Sequence, residues 1–312
     1  MSTTPSSRVT STTAGQRALV LGGGGSTGNA WLIGVIAGLL DAGLDVTGAD
    51  LVIGTSAGST AAAQVTSAAP PQLLSDILSA APQPRTAPVG PDGGRVRTGP
   101  AADHLARIST IIASAEDAAD MRRKMGKAAV DLDAASDGSW QPRWRATVAS
   151  RLPSQRWPER PMLITAVDAD TGEPVVFDRD RGVDLADAVA ASCSSRLPYR
   201  IGEDRYIDGG YRRNENADLA AGHARVLVLS PLGGRTLHPL DWGMHLAAQV
   251  DELRARGSRV ETIVPDSSSE HLFGASAMDP TLRPPAARAG FHQGRVLAEQ
   301  LTEFWLSSPA RP

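Results

Sequence analysis

Serine, aspartate and a run of glycines are the residues here whose types and spacing could do chemistry. Residues 54–58 read Gly-Thr-Ser-Ala-Gly, the G-x-S-x-G pattern of a serine on a sharp strand-to-helix turn. Such a turn forces strained backbone angles on Ser56, and Gly54 and Gly58 let the neighbouring chain pass close by. The hydroxyl would stand at the end of a sheet, facing the positive end of the following helix. That chemistry is nucleophilic attack on an acyl carbonyl. The pentapeptide alone also fits an ordinary glycine-rich turn. The apolar run before it and the Ala-rich run after it favour the elbow.

A second signal is Gly22-Gly23-Gly24-Gly25-Ser26-Thr27-Gly28. A loop of this kind turns several backbone N–H groups toward one point, where an oxyanion or a phosphate can sit. A P-loop needs Lys after the last glycine, and Asn29 stands there. A dinucleotide fingerprint fits formally at Gly23, Gly25 and Gly28. It also needs an acid about 20 residues on, at the end of the next strand. The nearest, Asp50, precedes its strand, and that strand runs into Ser56. An oxyanion hole remains, donated mainly by the Gly24 and Gly25 amides, with Gly23 and Ser26 in the same loop.

A serine hydroxyl also needs a proton acceptor. The six histidines are His104, His223, His238, His245, His271 and His292. A Ser, Asp, His order is available, but none of these sits in a recognisable loop pattern. Asp208 closes a short apolar run and precedes Gly209 and Gly210, so the backbone can approach closely there. A free aspartate, with a pKa of about 3.9, is ionised at neutral pH but weakly basic. It could serve if held against Ser56 away from water. The residues by themselves leave the base open between Asp208 and a histidine.

The elements that must position these groups alternate in type. Arg17–Leu21 reads as a buried strand, Asn29–Leu44 as a buried helix ended by Gly43, Asp50–Ile53 as a strand, and Ser59–Ala69 as a helix. Strand, tight turn and helix thus occur twice, the punctuation of an α/β sheet. Residues 82–100 are a Pro/Gly linker. Residues 101–135 are helical, with Leu105, Ile108, Ile111 and Ile112 on one face. Residues 140–161 place Trp140, Trp144 and Trp157 among five arginines. Together, 80–160 read as a helical cap or insertion. Met162–Val167 and Val175–Phe177 flank a turn at Asp170-Thr171-Gly172. Leu185–Ala191 is helical, Arg205–Ile207, Val226–Leu229 and Val260–Val264 are strands, and Ala286–Leu306 is a closing helix. Residues 1–15 are small and polar and read as a disordered tail, leaving 16–306 as one domain.

Composition limits the function classes. The chain has 312 residues, is 41% hydrophobic and carries a net charge of −3. A nucleic-acid binder held by phosphate contacts needs a basic face, so no nucleic acid is expected. The single cysteine, Cys193, allows no disulfide within the chain and no cysteine metal site, and reads as a packing residue. No metal or cofactor is expected. The first sixteen residues lack an apolar signal core, and no run reaches the roughly 18 apolar residues of a membrane span. A cytoplasmic protein follows, at most peripheral on a membrane. Contact through 140–160 would use Trp at the interface and Arg on anionic lipid. The competing reading packs these Trp rings against the core, and is favoured because Trp is usually largely buried.

The glycine loop, the G-x-S-x-G serine and the D-G-G aspartate, in this order, resemble the patatin-like phospholipase family. The stretches LITAVDADTGEPVVFDRDRGVDLADAVAASCSS at 163–195 and YIDGGYRRNENADLA at 206–220 are similar to bacterial members. The resemblance covers most of 17–70 and 160–300. It implies a three-layer α/β/α sandwich with a central, mostly parallel sheet. It also implies a Ser56–Asp208 dyad without a histidine base, and hydrolysis of a phospholipid or other acyl ester through an acyl-enzyme. Many members carry Arg in the glycine loop, where this chain has Thr27. That puts affinity for an anionic headgroup in doubt. Ser195-Arg196-Leu197-Pro198 also departs from the small-residue run often found there, a change expected at the acyl pocket. The opposing classes are a non-catalytic nucleotide- or acyl-binding module and a general esterase or thioesterase with a Ser-His-Asp triad.

Overall fold

A computed structural model describes residues 13–81 and 100–306. Eight strands form one sheet in the order β5-β6-β3-β2-β1-β7-β8, with β4 paired to β3. β1 (Thr13–Leu21) lies at its centre, parallel to β2 (Leu51–Gly54) and to β7 (His223–Leu229). β3 (Met162–Asp168) extends the parallel run beside β2, and β8 (Arg259–Ile263) does so beside β7. The direction reverses at β3, which pairs antiparallel with β4 (Pro174–Phe177) and β6 (Asp204–Asp208). β5 (Tyr199–Ile201) closes that edge, antiparallel to β6.

Period-two alternation on the central strands builds a core on each face. Leu19 and Leu21 of β1 and Leu227 and Leu229 of β7 enter the larger cluster. Their neighbours Ala18, Val20, Val226 and Val228 enter the opposite one. α1 (Gly25–Asp41), α2 (Ala57–Val65), α3 (Pro70–Ser79), α7 (Leu185–Ser192) and α9 (Arg283–Leu306) cover the first face. α8 (Leu246–Ala255) covers the second. The result is a mixed, mostly parallel sheet between helical layers, the α/β/α arrangement expected.

α1 and α9 meet backbone to backbone. A Cβ on Gly34 or Gly38 would strike the carbonyls of Ala287 or Phe291, and one on Gly290 or Gly294 would strike those of Trp31 or Val35. Each helix therefore presents two glycines four residues apart, and their absent side chains let the axes close up. The glycines that interrupt the apolar run of α1 are its contact surface.

Several boundaries differ from expectation. β1 begins at Thr13, so residues 13–15 join the sheet rather than the tail; the rest of the expected tail, 1–12, lies outside the described residues, as does 82–99 of the expected linker. α1 begins within the glycine run, four residues before Asn29. The single helical stretch expected at 101–135 is two helices, α4 (Pro100–Ser114) and α5 (Ala118–Asp133). They part at Asp117, whose carboxylate caps α5 by accepting from the Asp120 N–H. α5 packs with Val167 and Ile207 on one face of the sheet. Val148 of α6 (Trp140–Ala149) joins the core on the other. The segment expected as a cap thus divides between the two faces. The three Trp rings of 140–160 pack against the core, and their N–H groups donate to the Asp133 carboxylate and to the carbonyls of Ala190 and Val183.

Candidate functional site

β1 and β2 lie side by side, and both point into helix starts. At the end of β2 the chain turns through Ser56 into α2, and Ser56 has φ 51°, ψ −118°. A side chain rarely adopts this conformation, which costs on the order of 1–3 kcal/mol and is held by its surroundings. Gly58 permits the turn, since a Cβ there would be driven into the Leu21 carbonyl. The Ser56 N–H donates to Ser192 Oγ at 2.9 Å. Its carbonyl accepts from Ser59 Oγ at 2.6 Å and from Cys193 Sγ at 3.1 Å.

Asp208 arrives from the other direction. β6 runs antiparallel to β3 and ends opposite Ala166, while Gly54 of β2 is opposite Ile164 on the far side of the same strand. The ends of β2 and β6 therefore converge across one strand. Ser56 Oγ donates to Asp208 Oδ2 at 2.8 Å, and Asp208 Oδ1 accepts from the Gly210 N–H at 2.8 Å. Gly209 is required where the chain leaves the sheet, because a Cβ would collide with Thr165. Asp208 is only 8% exposed. Burial pushes its pKa up to about 6, against the pull of the Gly210 and Ser56 hydrogen bonds. The carboxylate is thereby a stronger base than a free aspartate, yet still ionised at neutral pH. Among the described residues no histidine bonds to Ser56 or Asp208; His223 and His238, for instance, bond to the Ala220 carbonyl and to Thr236.

The glycine loop closes the third side. A Cβ on Gly23 would lie 3.5 Å from Ser56 Cβ, so the loop borders the serine directly. The Gly22 N–H is bonded to the Leu229 carbonyl and the Gly23 N–H to that of Asn214, each at 3.0 Å. Gly23 is therefore a wall of the site with its own N–H engaged, and Gly24, Gly25 and Ser26 follow it. These open α1, where N–H groups lack intrahelical acceptors. Gly25, at φ 66°, makes the helix start possible. Thr27 faces inward, fully buried, with its hydroxyl unpartnered among the described residues.

Sequence reasoning missed the scaffold behind these groups. Asn216, with φ 54°, donates through Nδ2 to Thr55 Oγ1 at 2.9 Å and the Arg213 carbonyl at 2.6 Å, with Thr165 Oγ1 and the Gly209 carbonyl both at 3.2 Å. It ties the serine turn to the aspartate turn. Glu215, 1% exposed, accepts from Asn214 Nδ2, Ser230 Oγ and Gln249 Nε2. The three consecutive polar residues after the arginine pair at 212–213 were the available signal. Cys193 is held under the Ser56 carbonyl, and burial raises its pKa to about 11, which keeps it a neutral thiol.

The family model for patatin-like phospholipases matches residues 19–221. The chain belongs to the patatin-like phospholipase family. The match takes in the glycine loop, the serine turn and the aspartate turn, so this patatin-like protein carries all three segments in the family's region. The family is one of lipid acyl hydrolases. The crystal structure of VipD from Legionella pneumophila is also similar, at 14% identity, over 92% of this chain and 67% of that one, with a TM-score of 0.41. No curated protein matches the sequence. No described helix is long and apolar enough to cross a membrane.

Proposed function

We propose that this chain hydrolyses lipid or other acyl esters through a Ser56–Asp208 dyad and an acyl-enzyme. The observation that carries the reading is the 2.8 Å hydrogen bond from Ser56 Oγ to the buried carboxylate of Asp208. In the first half-reaction Ser56 Oγ attacks the acyl carbonyl and its proton passes to Asp208 Oδ2. The carbonyl oxygen takes up negative charge and is held by the amides of Gly24, Gly25 and Ser26. Preorganised donors of this kind are worth about 3 kcal/mol each in the transition state. Collapse expels the alcohol, which leaves with the proton from Asp208. In the second half, Asp208 takes a proton from water, the hydroxide adds to the acyl-enzyme, and the acid departs as Ser56 regains its proton.

The strained backbone of Ser56 favours catalysis over a passive binding role, because such strain persists where function needs it. Against a Ser-His-Asp triad stands the lack, among the described residues, of a histidine hydrogen-bonded to Ser56 or Asp208. For membrane contact through 140–160, the packed Trp rings leave the arginines as what the stretch offers to an anionic lipid surface.

The test is p-nitrophenyl ester hydrolysis by wild type, Ser56→Ala and Asp208→Asn, with fluorophosphonate labelling of Ser56. Both variants should lose activity by several orders of magnitude while remaining folded, and Ser56→Ala should not label. An active Asp208→Asn would reject the dyad. A wild type that neither turns over any ester nor labels would reject the enzyme.

A further inference from the structure

Arg283, the first residue of α9, reaches the helix start that carries the oxyanion loop. Its Nη1 donates to the Ser26 carbonyl at 2.8 Å and lies 3.3 Å from Ser26 Oγ, while Nη2 donates to Asn29 Oδ1 at 3.0 Å. All three acceptors are neutral. Among the described residues, no carboxylate pairs with Arg283. The charge beside it is of its own sign: burial and Arg151 together lower its pKa to about 10. It also stands at the start of α1, whose positive end repels a cation.

Arg151 is tied to the same place. Asn29 Nδ2 donates to Gln64 Oε1 at 2.9 Å, and Gln64 Nε2 donates to the Arg151 carbonyl at 3.0 Å. The Arg151 guanidinium is exposed and lies 5.5 Å from the centre of the Trp144 ring. No carboxylate pairs with it among the described residues either. Its charge is felt at Cys193, whose thiol touches the Ser56 carbonyl. Two guanidiniums without acids thus lie near Asn29, one on Ser26 at the start of α1 and the other past the end of α2.

A partly buried cation held only by neutral acceptors, near a second cation and a helix N-terminus, is unfavourable as it stands. An anion placed between the two would reverse each of these terms. Folded proteins break such local rules mainly at functional sites.

We propose that Arg283 and Arg151 form an anion subsite at the start of α1, next to the glycine loop, that takes a phosphate or carboxylate carried by the ester substrate. This deepens the acyl hydrolase reading and rests on it. The anion can belong to the leaving group, as in a phospholipid, or to the far end of the acyl chain. The chemistry at the guanidiniums is the same for both.

Two substrate pairs separate the sources. Dihexanoyl phosphatidic acid against dihexanoylglycerol places the charge on the leaving group. The p-nitrophenyl monoester of glutaric acid against p-nitrophenyl valerate places it on the acyl chain. Wild type should prefer the charged member of one pair by tenfold or more. Arg151→Met and Arg283→Met should erase that preference through KM, and Arg283→Lys should keep part of it. Inorganic phosphate should compete with valerate ester in wild type and less well in Arg151→Met. A purely structural Arg283 would lower both members of each pair alike, which would overturn the proposal. Neutral ester turned over by Ser56 with no charge preference would overturn it too, leaving the hydrolase reading intact. If no ester is turned over, thermal stabilisation by inorganic phosphate, lost in Arg151→Met, still supports the subsite, and its absence in wild type rejects it. Should Arg283→Met fail to fold, the exposed Arg151→Met carries the same comparison.

Discussion

Replacing Asp208 by Asn should make the folded protein more stable at neutral pH while it ends hydrolysis. The carboxyl stands at about 6 when folded, against an ordinary value of 3.8. Below pH 4 the folded and unfolded chains both hold the proton, and Asp208 contributes nothing to the difference between them. Between pH 4 and 6 the unfolded chain has released its proton and the folded chain has not. Stability therefore falls as pH rises through that window. Above pH 6 both states are ionised and the penalty is constant. The separation of the two values, about 2 pH units, corresponds to about 3 kcal/mol. Asparagine has nearly the same shape and no charge. Its Oδ1 can accept from the Gly210 N–H, and its Nδ2 can donate to Ser56 Oγ. The variant should gain about 3 kcal/mol on wild type between pH 4 and pH 8. At this chain length that is about 5 °C in Tm. Thermal unfolding of both proteins across that range measures it. A difference in Tm that stays constant with pH, or that grows in favour of wild type, would refute the account of Asp208 as a carboxylate kept basic by burial.

Other outcomes follow from the same geometry. The kcat/KM of wild type should rise with pH through about 6 and then level off, because only the ionised Asp208 can take the Ser56 proton; a profile flat from pH 5 to 8 would contradict this. Gly58→Ala should cost about 3 kcal/mol or more, since its Cβ meets backbone, and should show as lost soluble yield or Tm. Gly23→Ala meets the Asn214 side chain at 2.7 Å and borders Ser56, so it should fold and lose kcat. Asn216→Gly should cost about 2 kcal/mol by leaving buried hydroxyl and carbonyl groups unpaired, and Asn216→Ala about 1 kcal/mol more, because φ 54° suits glycine. Chemical denaturation of the pair reads both quantities.

The sheet was legible where patterns are local. RALVL and LVIG are short apolar runs that stop at glycines, and both are central strands. The start of α1 was not legible, because glycine has poor helix propensity and only its positive φ lets Gly25 open a helix. The break at Asp117 is written in the sequence as a capping aspartate, just past the apolar stripe that ends at Ile112. β5 is three residues long, too short for any period to declare it. Within the site, Ser56 and the glycines announce themselves by spacing. Asp208 needed a resemblance, because what makes it a base is burial, a tertiary property. Asn216 and Glu215 act through partners from Thr55 to Gln249, and Arg283 reaches back across more than 250 residues to Ser26. No local pattern encodes such contacts.

Ser56 and Asp208 are 152 residues apart in the chain but one strand apart in space. That strand, β3, is parallel to β2 and antiparallel to β6, so Ser56 and Asp208 meet only where β3 has paired with both. Closing loops of that length carries a large entropic debt that local helices do not share. A folding chain can acquire its helices and a collapsed interior well ahead of any working nucleophile. The meeting of Ser56 with Asp208 is thus set by the topology of the sheet rather than by the local sequence around either residue.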